Sequence, residues 1–169
     1  KHPQGKSALT PSPTKLGKAN TPTNKKGKKK TPAEMIEVME EGFLLTKYAN
    51  GRGKPYAARV FFVPTEDGGQ LYWCRHDNNE GKLRDSNRCI DVLSITEIYQ
   101  GKQTKSFVKR SARFADPDHC FSIITPDRTL DLEAPSKQQR DNFLYGVSSI
   151  LFGSHENLLS EEYSEREHD

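Results

Sequence analysis

Residues 42–63, GFLLTKYANGRGKPYAARVFFV, constrain the fold more than any other stretch, because one short segment spells two strands and the turn between them. Phe43, Leu45 and Lys47 alternate with Leu44, Thr46 and Tyr48, and the run from Tyr56 to Val63 is again aromatic and β-branched, so both flanks suit a pleated, half-buried surface. Asn50-Gly51 is a strong hairpin signal, since both residues tolerate φ > 0, while Gly53 and Pro55 keep the connection from continuing as strand. The spacing predicts a tight turn that holds Arg52 and Lys54 at an exposed tip. Lys47 and Arg59 are expected to converge below them and complete a cationic mouth. The competing reading is that these four are ordinary solvated surface charges.

A chain of 169 residues with 33% hydrophobic residues and mean hydropathy −0.86 carries one compact domain plus polar flanks. The net charge of +3 conceals a strong asymmetry. Residues 1–30 contain nine Lys and no acid, residues 154–169 contain six acids and one Arg, and the intervening body is nearly neutral. The expected organisation is a disordered Lys-rich arm at 1–30, a folded domain at 31–153 and a loose acidic tail at 154–169. The arm has too few apolar side chains to offset its chain entropy. Its end, with Lys25, Lys26, Lys28, Lys29 and Lys30, offers electrostatic support toward an anionic membrane, each cation contributing on the order of 1 kcal/mol near the surface. Nucleic-acid binding, a nuclear import signal and a solvated linker are the alternatives for this run.

Thr31-Pro32-Ala33-Glu34 reads as a helix start, with Thr as cap, Pro in the first turn and Glu closing a capping box. That helix is expected to end near Glu41, with Met35, Ile36 and Met39 on one face. After the hairpin, strands are expected at residues 70–75, 89–93, 95–99, 120–125 and 129–134. A polar loop covers residues 77–88, and a cationic excursion covers residues 101–118, with a short helix at 106–111. Ser136 then caps a helix whose stripe of Phe143, Leu144, Val147, Ile150 and Leu151 runs to Gly153, read as its stop. The fold class is mainly β with α: a seven-stranded antiparallel sandwich or partly open barrel, capped by a C-terminal amphipathic helix, with a short helix before the first strand.

Catalysis is not expected. The five His are scattered, Cys74, Cys89 and Cys120 lack a metal-ligand or disulfide spacing, and no Gly-rich phosphate loop occurs, so no cofactor or metal is expected either. An odd number of cysteines without such spacing fits a reducing compartment, and no run is long and apolar enough for a spanning helix.

The order and spacing of GKQT, CFSIITPDRTLDLEAPS and the closing helix, over residues 34–152, resemble the pleckstrin homology (PH) domain of the phospholipase C type. The resemblance implies the seven-stranded sandwich with its C-terminal helix, in which Phe143 stands where the family usually has Trp. It also implies a lipid site whose basic residues lie on the first two strands. Lys47 and Arg59 match the outer positions of that pattern, Ala57 occupies the middle basic position, and Thr46, Tyr48 and Asn78 stand where cations are common. Missing cations disfavour a headgroup with several phosphates and favour a monophosphate. A narrower resemblance, carried by the Lys-rich arm and the absence of an attached catalytic domain, is to acylated PH-domain proteins of apicomplexan parasites. It implies phosphatidic acid recognition on secretory organelles called micronemes, in exocytosis, with any acyl anchor ahead of Lys1. The expectation is a cytoplasmic, monomeric module peripheral to a membrane, with lipid-binding residues Lys47, Arg52, Lys54 and Arg59. The alternatives are a protein-interaction domain, using a groove beside the fifth strand and the closing helix, and a phosphoinositide-binding PH domain.

Overall fold

The computed structural model describes Thr23, residues 27–76 and residues 84–166. Lys25, Lys26 and Asn78, and nearly all of the arm, therefore lie outside the described residues.

Helix α1, Pro32–Glu41, begins as its local chemistry dictates. Thr31 Oγ1 accepts from the Glu34 amide at 3.3 Å, and the Glu34 carboxylate accepts from the Thr31 amide at 2.8 Å. Gly42 ends it at φ +96°, where a side chain would meet the Val60 carbonyl 2.9 Å from its Cβ. Met35 and Met39 are buried beneath it.

Seven strands follow: β1 Phe43–Tyr48, β2 Tyr56–Val63, β3 Gln70–Arg75, β4 Cys89–Asp91, β5 Glu97–Gln100, β6 Cys120–Ile124 and β7 Thr129–Glu133. They form one antiparallel sheet in the order β4-β3-β2-β1-β7-β6-β5, so β4 and β5 are its two edges. Strand alternation sorts the side chains cleanly. Leu45, Val60, Phe62, Leu71, Trp73, Phe121, Ile123, Leu130 and Leu132 turn to one core, together with Phe143, Leu144, Val147 and Ile150 of the closing helix. Phe143 meets Phe43 edge-on at 5.2 Å and Phe121 at 5.3 Å. The fold expected from the sequence is thus present, including the capping helix.

Three local expectations need correction. No non-glycine residue has positive φ among the described residues, and Gly51 is not among the positive-φ glycines, so Asn50-Gly51 does not form the primed turn. Strand pairing stops at Lys47↔Tyr56, leaving a longer connection over residues 49–55. The closing helix α3, Lys137–Arg166, runs through Gly153, because glycine stops a helix by adopting positive φ, and Gly153 does not. The helical backbone therefore enters the segment read as a loose acidic tail.

The excursion between β5 and β6 is the third difference. It carries a four-residue helix α2, Lys105–Val108, and a 3-10 turn, Arg110–Ala112. Phe107, Ala112 and Ala115 bury against Tyr48 and Cys120 on the outer face of the sheet, forming a second small core. The Tyr48 and Phe107 rings lie 5.2 Å apart. Beneath them the Tyr48 hydroxyl donates to Glu133 at 2.9 Å, and Ser122 donates to buried Asp131 at 2.6 Å.

Candidate functional site

Lys47 is the last residue of β1 paired with β2 and shares the inner face of Phe43 and Leu45. It is half-buried at the rim of the core, where hydrocarbon gives way to aromatic rings. Its ammonium lies 5.5 Å from the Trp73 ring centre and 5.8 Å from that of Tyr56. Three further cations share these rings or their field. The Arg75 guanidinium lies 4.1 Å over Tyr56, and Arg128, in the β6–β7 turn, lies 5.9 Å over Trp73. Arg128 also donates to the Asn87 carbonyl at 2.8 Å, tying that turn to the loop before β4. Arg88, next to Asn87, holds Asp85 at a loose 3.8 Å.

The electrostatics of this mouth follow from its composition. Burial depresses the Lys47 pKa below its ordinary 10.5; Asp131 pulls it up, more strongly than either Arg128 or Arg88 pushes it down. Burial raises the Tyr56 pKa, opposed by Arg88 and Arg75. Among the described residues no carboxylate forms an ion pair with Lys47, Arg75 or Arg128. Four cations drawn from β1, β3, the β3–β4 loop and the β6–β7 turn therefore surround two aromatic faces, and among the described residues Arg88 alone of the four is paired with a carboxylate, Asp85. Such an arrangement can hold a small oxyanion by charge-assisted hydrogen bonds.

The structure divides the four hairpin cations named from the sequence. Lys47 lies in the mouth, and Arg52 and Lys54 are exposed on the adjoining 49–55 connection. Arg59 does not join them. Its register partner is Leu44, three residues from Lys47 and on the opposite face, and its guanidinium donates to the Glu41 carbonyl at 3.3 Å, at the end of α1. Odd and even positions of a strand cannot share a face, which defeats the expected convergence. Ala57 and Thr46 lie with Arg59 on that outer face.

Arg75, Arg88 and Arg128 are the residues that the sequence reading missed. Alternation along Leu71, Trp73 and Arg75 would have found the first, since Leu71 and Trp73 both turn to the core. The other two depend on loop placement. The connection beside the mouth is itself held from outside. The Lys109 ammonium donates to the carbonyls of Ala49, Asn50 and Gly51 at 3.1, 2.6 and 2.7 Å. Asn50 donates to the Thr129 carbonyl at 3.3 Å and accepts from Ser106. Among the described residues no helix is long and apolar enough to cross a membrane.

Comparison with known proteins agrees with this architecture. A family model for the PH domain matches residues 38–152. A mouse protein, 1-phosphatidylinositol 4,5-bisphosphate phosphodiesterase eta-2, is 28% identical over 120 residues; the aligned segment covers 70% of this chain and 7% of that protein. Solved structures that resemble the chain include the C-terminal PH domain of human pleckstrin, with TM-score 0.46, 18% identity and coverage of 70% of this chain and 89% of that one. The inner membrane complex sub-compartment protein 1 of Toxoplasma gondii gives TM-score 0.48 at 10% identity, with coverage of 70% and 89%. PLC21 of S. officinalis gives TM-score 0.48 at 16% identity, with coverage of 68% and 16%. With its family model matched across most of the folded body, and with seven antiparallel strands closed by a C-terminal helix, this chain belongs to the PH domain family.

Proposed function

We propose that this PH domain is a peripheral membrane module that recognises the phosphate of an anionic phospholipid, phosphatidic acid in particular, and acts as a lipid sensor in exocytosis from a secretory organelle. The observation that carries the reading is the mouth of Lys47, Arg75, Arg88 and Arg128, in which, among the described residues, no carboxylate forms an ion pair with Lys47, Arg75 or Arg128 and Arg88 holds Asp85 at a loose 3.8 Å. A phosphomonoester titrates near neutrality, with second pKa ~6 for comparable esters, and nearby cations favour its more charged form. It can therefore use all the donors of a small site. A headgroup with several phosphates needs more, and the outer face beyond β1 and β2 supplies Thr46 and Ala57 instead. Arg52 and Lys54 on the rim, with Lys25, Lys26, Lys28, Lys29 and Lys30 in the arm, add long-range attraction that ionic strength screens.

Co-sedimentation with vesicles of matched surface charge tests the reading, comparing phosphatidic acid, phosphatidylserine and phosphatidylinositol bisphosphate at physiological salt, with and without residues 1–30. Preference for phosphatidic acid that survives loss of the arm and disappears in a Lys47→Ala/Arg128→Ala variant supports it. Preference for the bisphosphate instead would make this a phosphoinositide reader. Binding that tracks charge alone, or persists in the double variant, sinks the mouth as a headgroup site. The unpaired edge of β5 would then favour the alternative of a partner peptide adding a strand.

A further inference from the structure

The β5–β6 excursion holds an apolar feature that the headgroup site does not explain. Val108 is 81% exposed and Phe114 is 87% exposed, and they are the two most exposed large apolar side chains among the described residues. Solitary apolar residues on a surface are ordinary, but these two fall within seven positions of one another on a segment otherwise tightly packed. Their neighbours Phe107, Ala112 and Ala115 are buried, so the backbone is anchored while these side chains face outward. The exposed residues between them are cationic or small, Arg110, Ser111 and Arg113, with Lys105 before Val108 and the acidic Asp116 and Asp118 after Phe114. No acidic residue occurs from 101 to 115, and the Arg113 guanidinium lies 4.5 Å over the Phe114 ring. Apolar tips set among cations suit the boundary between anionic headgroups and acyl chains.

The excursion is also fixed to the mouth. It starts at the far end of the sheet, where the Gly101 amide donates to the Cys120 carbonyl at 2.8 Å, and it crosses the outer face to the 49–55 connection. There Lys109, the residue after Val108, spends its ammonium on three successive carbonyls. That ammonium works as a clasp and has no donor left for phosphate. Val108 is therefore held beside the connection that carries Arg52 and Lys54.

We infer that the β5–β6 excursion is a second membrane contact, in which Val108 and Phe114 enter the headgroup–acyl boundary of an anionic bilayer while Lys105, Arg110 and Arg113 meet its phosphates. The inference rests on the headgroup reading above for its orientation, and the occupant is the bilayer itself. Two modest contacts held in one rigid body bind more tightly than either alone.

The test uses the full chain, vesicles containing phosphatidic acid, and a soluble short-chain phosphatidic acid below its micelle concentration. In a Val108→Ser/Phe114→Ser variant, vesicle affinity is expected to fall by about 10- to 100-fold, from the apolar area no longer buried, with affinity for the soluble lipid unchanged. Both positions are exposed, so the thermal midpoint should match the parent. In a separate Phe114→Trp variant, vesicles with brominated acyl chains should quench emission beyond what native Trp73 shows. Unchanged vesicle affinity in the double variant, or no added quenching, would overturn the inference. A Lys47→Ala/Arg128→Ala variant separates the two ideas. If it keeps its affinity for soluble lipid while the serine variant still loses vesicles, the headgroup reading fails and the excursion contact stands.

Discussion

Replacing Lys47 by Met should weaken lipid binding without weakening the fold. The ammonium sits 5.5 and 5.8 Å from two ring centres, close to the limit of about 6 Å at which cation–π attraction counts, so each contact contributes about 0.5–1 kcal/mol at most. Met keeps the apolar stem and offers a thioether that makes comparable ring contacts, about 0.3–1.5 kcal/mol. Those terms offset. What the substitution also removes is the cost of holding a charge at a half-buried position beside Arg88 and Arg128, the cost that depresses the Lys47 pKa. The sign follows from proton linkage: a lysine whose folded pKa is lowered binds fewer protons than the unfolded chain between the two values. Stability therefore rises with pH across that window, and below it the charged form is a burden. Urea denaturation at pH 7 should place Lys47→Met within about 1 kcal/mol of the parent, on the stable side, since surface-like changes of this kind are small. Binding should move the other way. One charge-assisted hydrogen bond contributes about 1.5–3 kcal/mol, equivalent to roughly 10- to 150-fold in Kd for vesicles containing phosphatidic acid. A variant that unfolds more easily by over 1 kcal/mol yet binds like the parent would refute this account, because Lys47 would then be a structural residue.

Three other expectations follow from the geometry. Asp131 supplies the upward pull on Lys47, so Asp131→Asn should lower the Lys47 pKa further and move the alkaline loss of vesicle binding to lower pH, read from Kd against pH in parent and variant. A Cβ on Gly146 would clash with the sulfur of fully buried Met39; overpacking of about 1–3 kcal/mol outweighs the ~1 kcal/mol of helix propensity gained, so Gly146→Ala should lower the thermal midpoint by several degrees, and an unchanged midpoint would show that α1 can shift freely. Arg59→Ala should leave vesicle affinity within about twofold and cost the fold less than about 1 kcal/mol, since it gives up one exposed bond to the end of α1; a loss of binding beyond tenfold would put Arg59 back in the site.

What could be read from the chain was what depends on near neighbours. The capping box of α1 needs only Thr31 and Glu34, and both of its hydrogen bonds form. Alternating strands and the stripe of α3 are likewise local, and they fixed the architecture. Arg59 shows what alternation adds to a family pattern. Val60 turns to the core, so Arg59 must turn away, a conclusion available from the sequence but outweighed by the match to a basic motif. Arg88 and Arg128 were out of reach, since a loop before β4 and a turn after β6 are brought together in space, by the Arg128 bond to the Asn87 carbonyl, and not in sequence. The second core was hidden for the same reason: Phe107, Ala112 and Ala115 follow no helical or strand period, and their partners Tyr48 and Cys120 come from other elements.

The pairing of β1 with β7 has a kinetic meaning as well. It sets Thr46 against Glu133 and Tyr48 against Asp131, contacts that close more than eighty residues of chain. Closing so long a loop is entropically slow, and domains rich in such contacts fold on the slower, millisecond-to-second side of the two-state range. Lys47 reaches Arg128 across this same junction. An anion site assembled there needs that closure first, so a partly folded chain in which β1 and β7 have not met has the separate cations but no mouth.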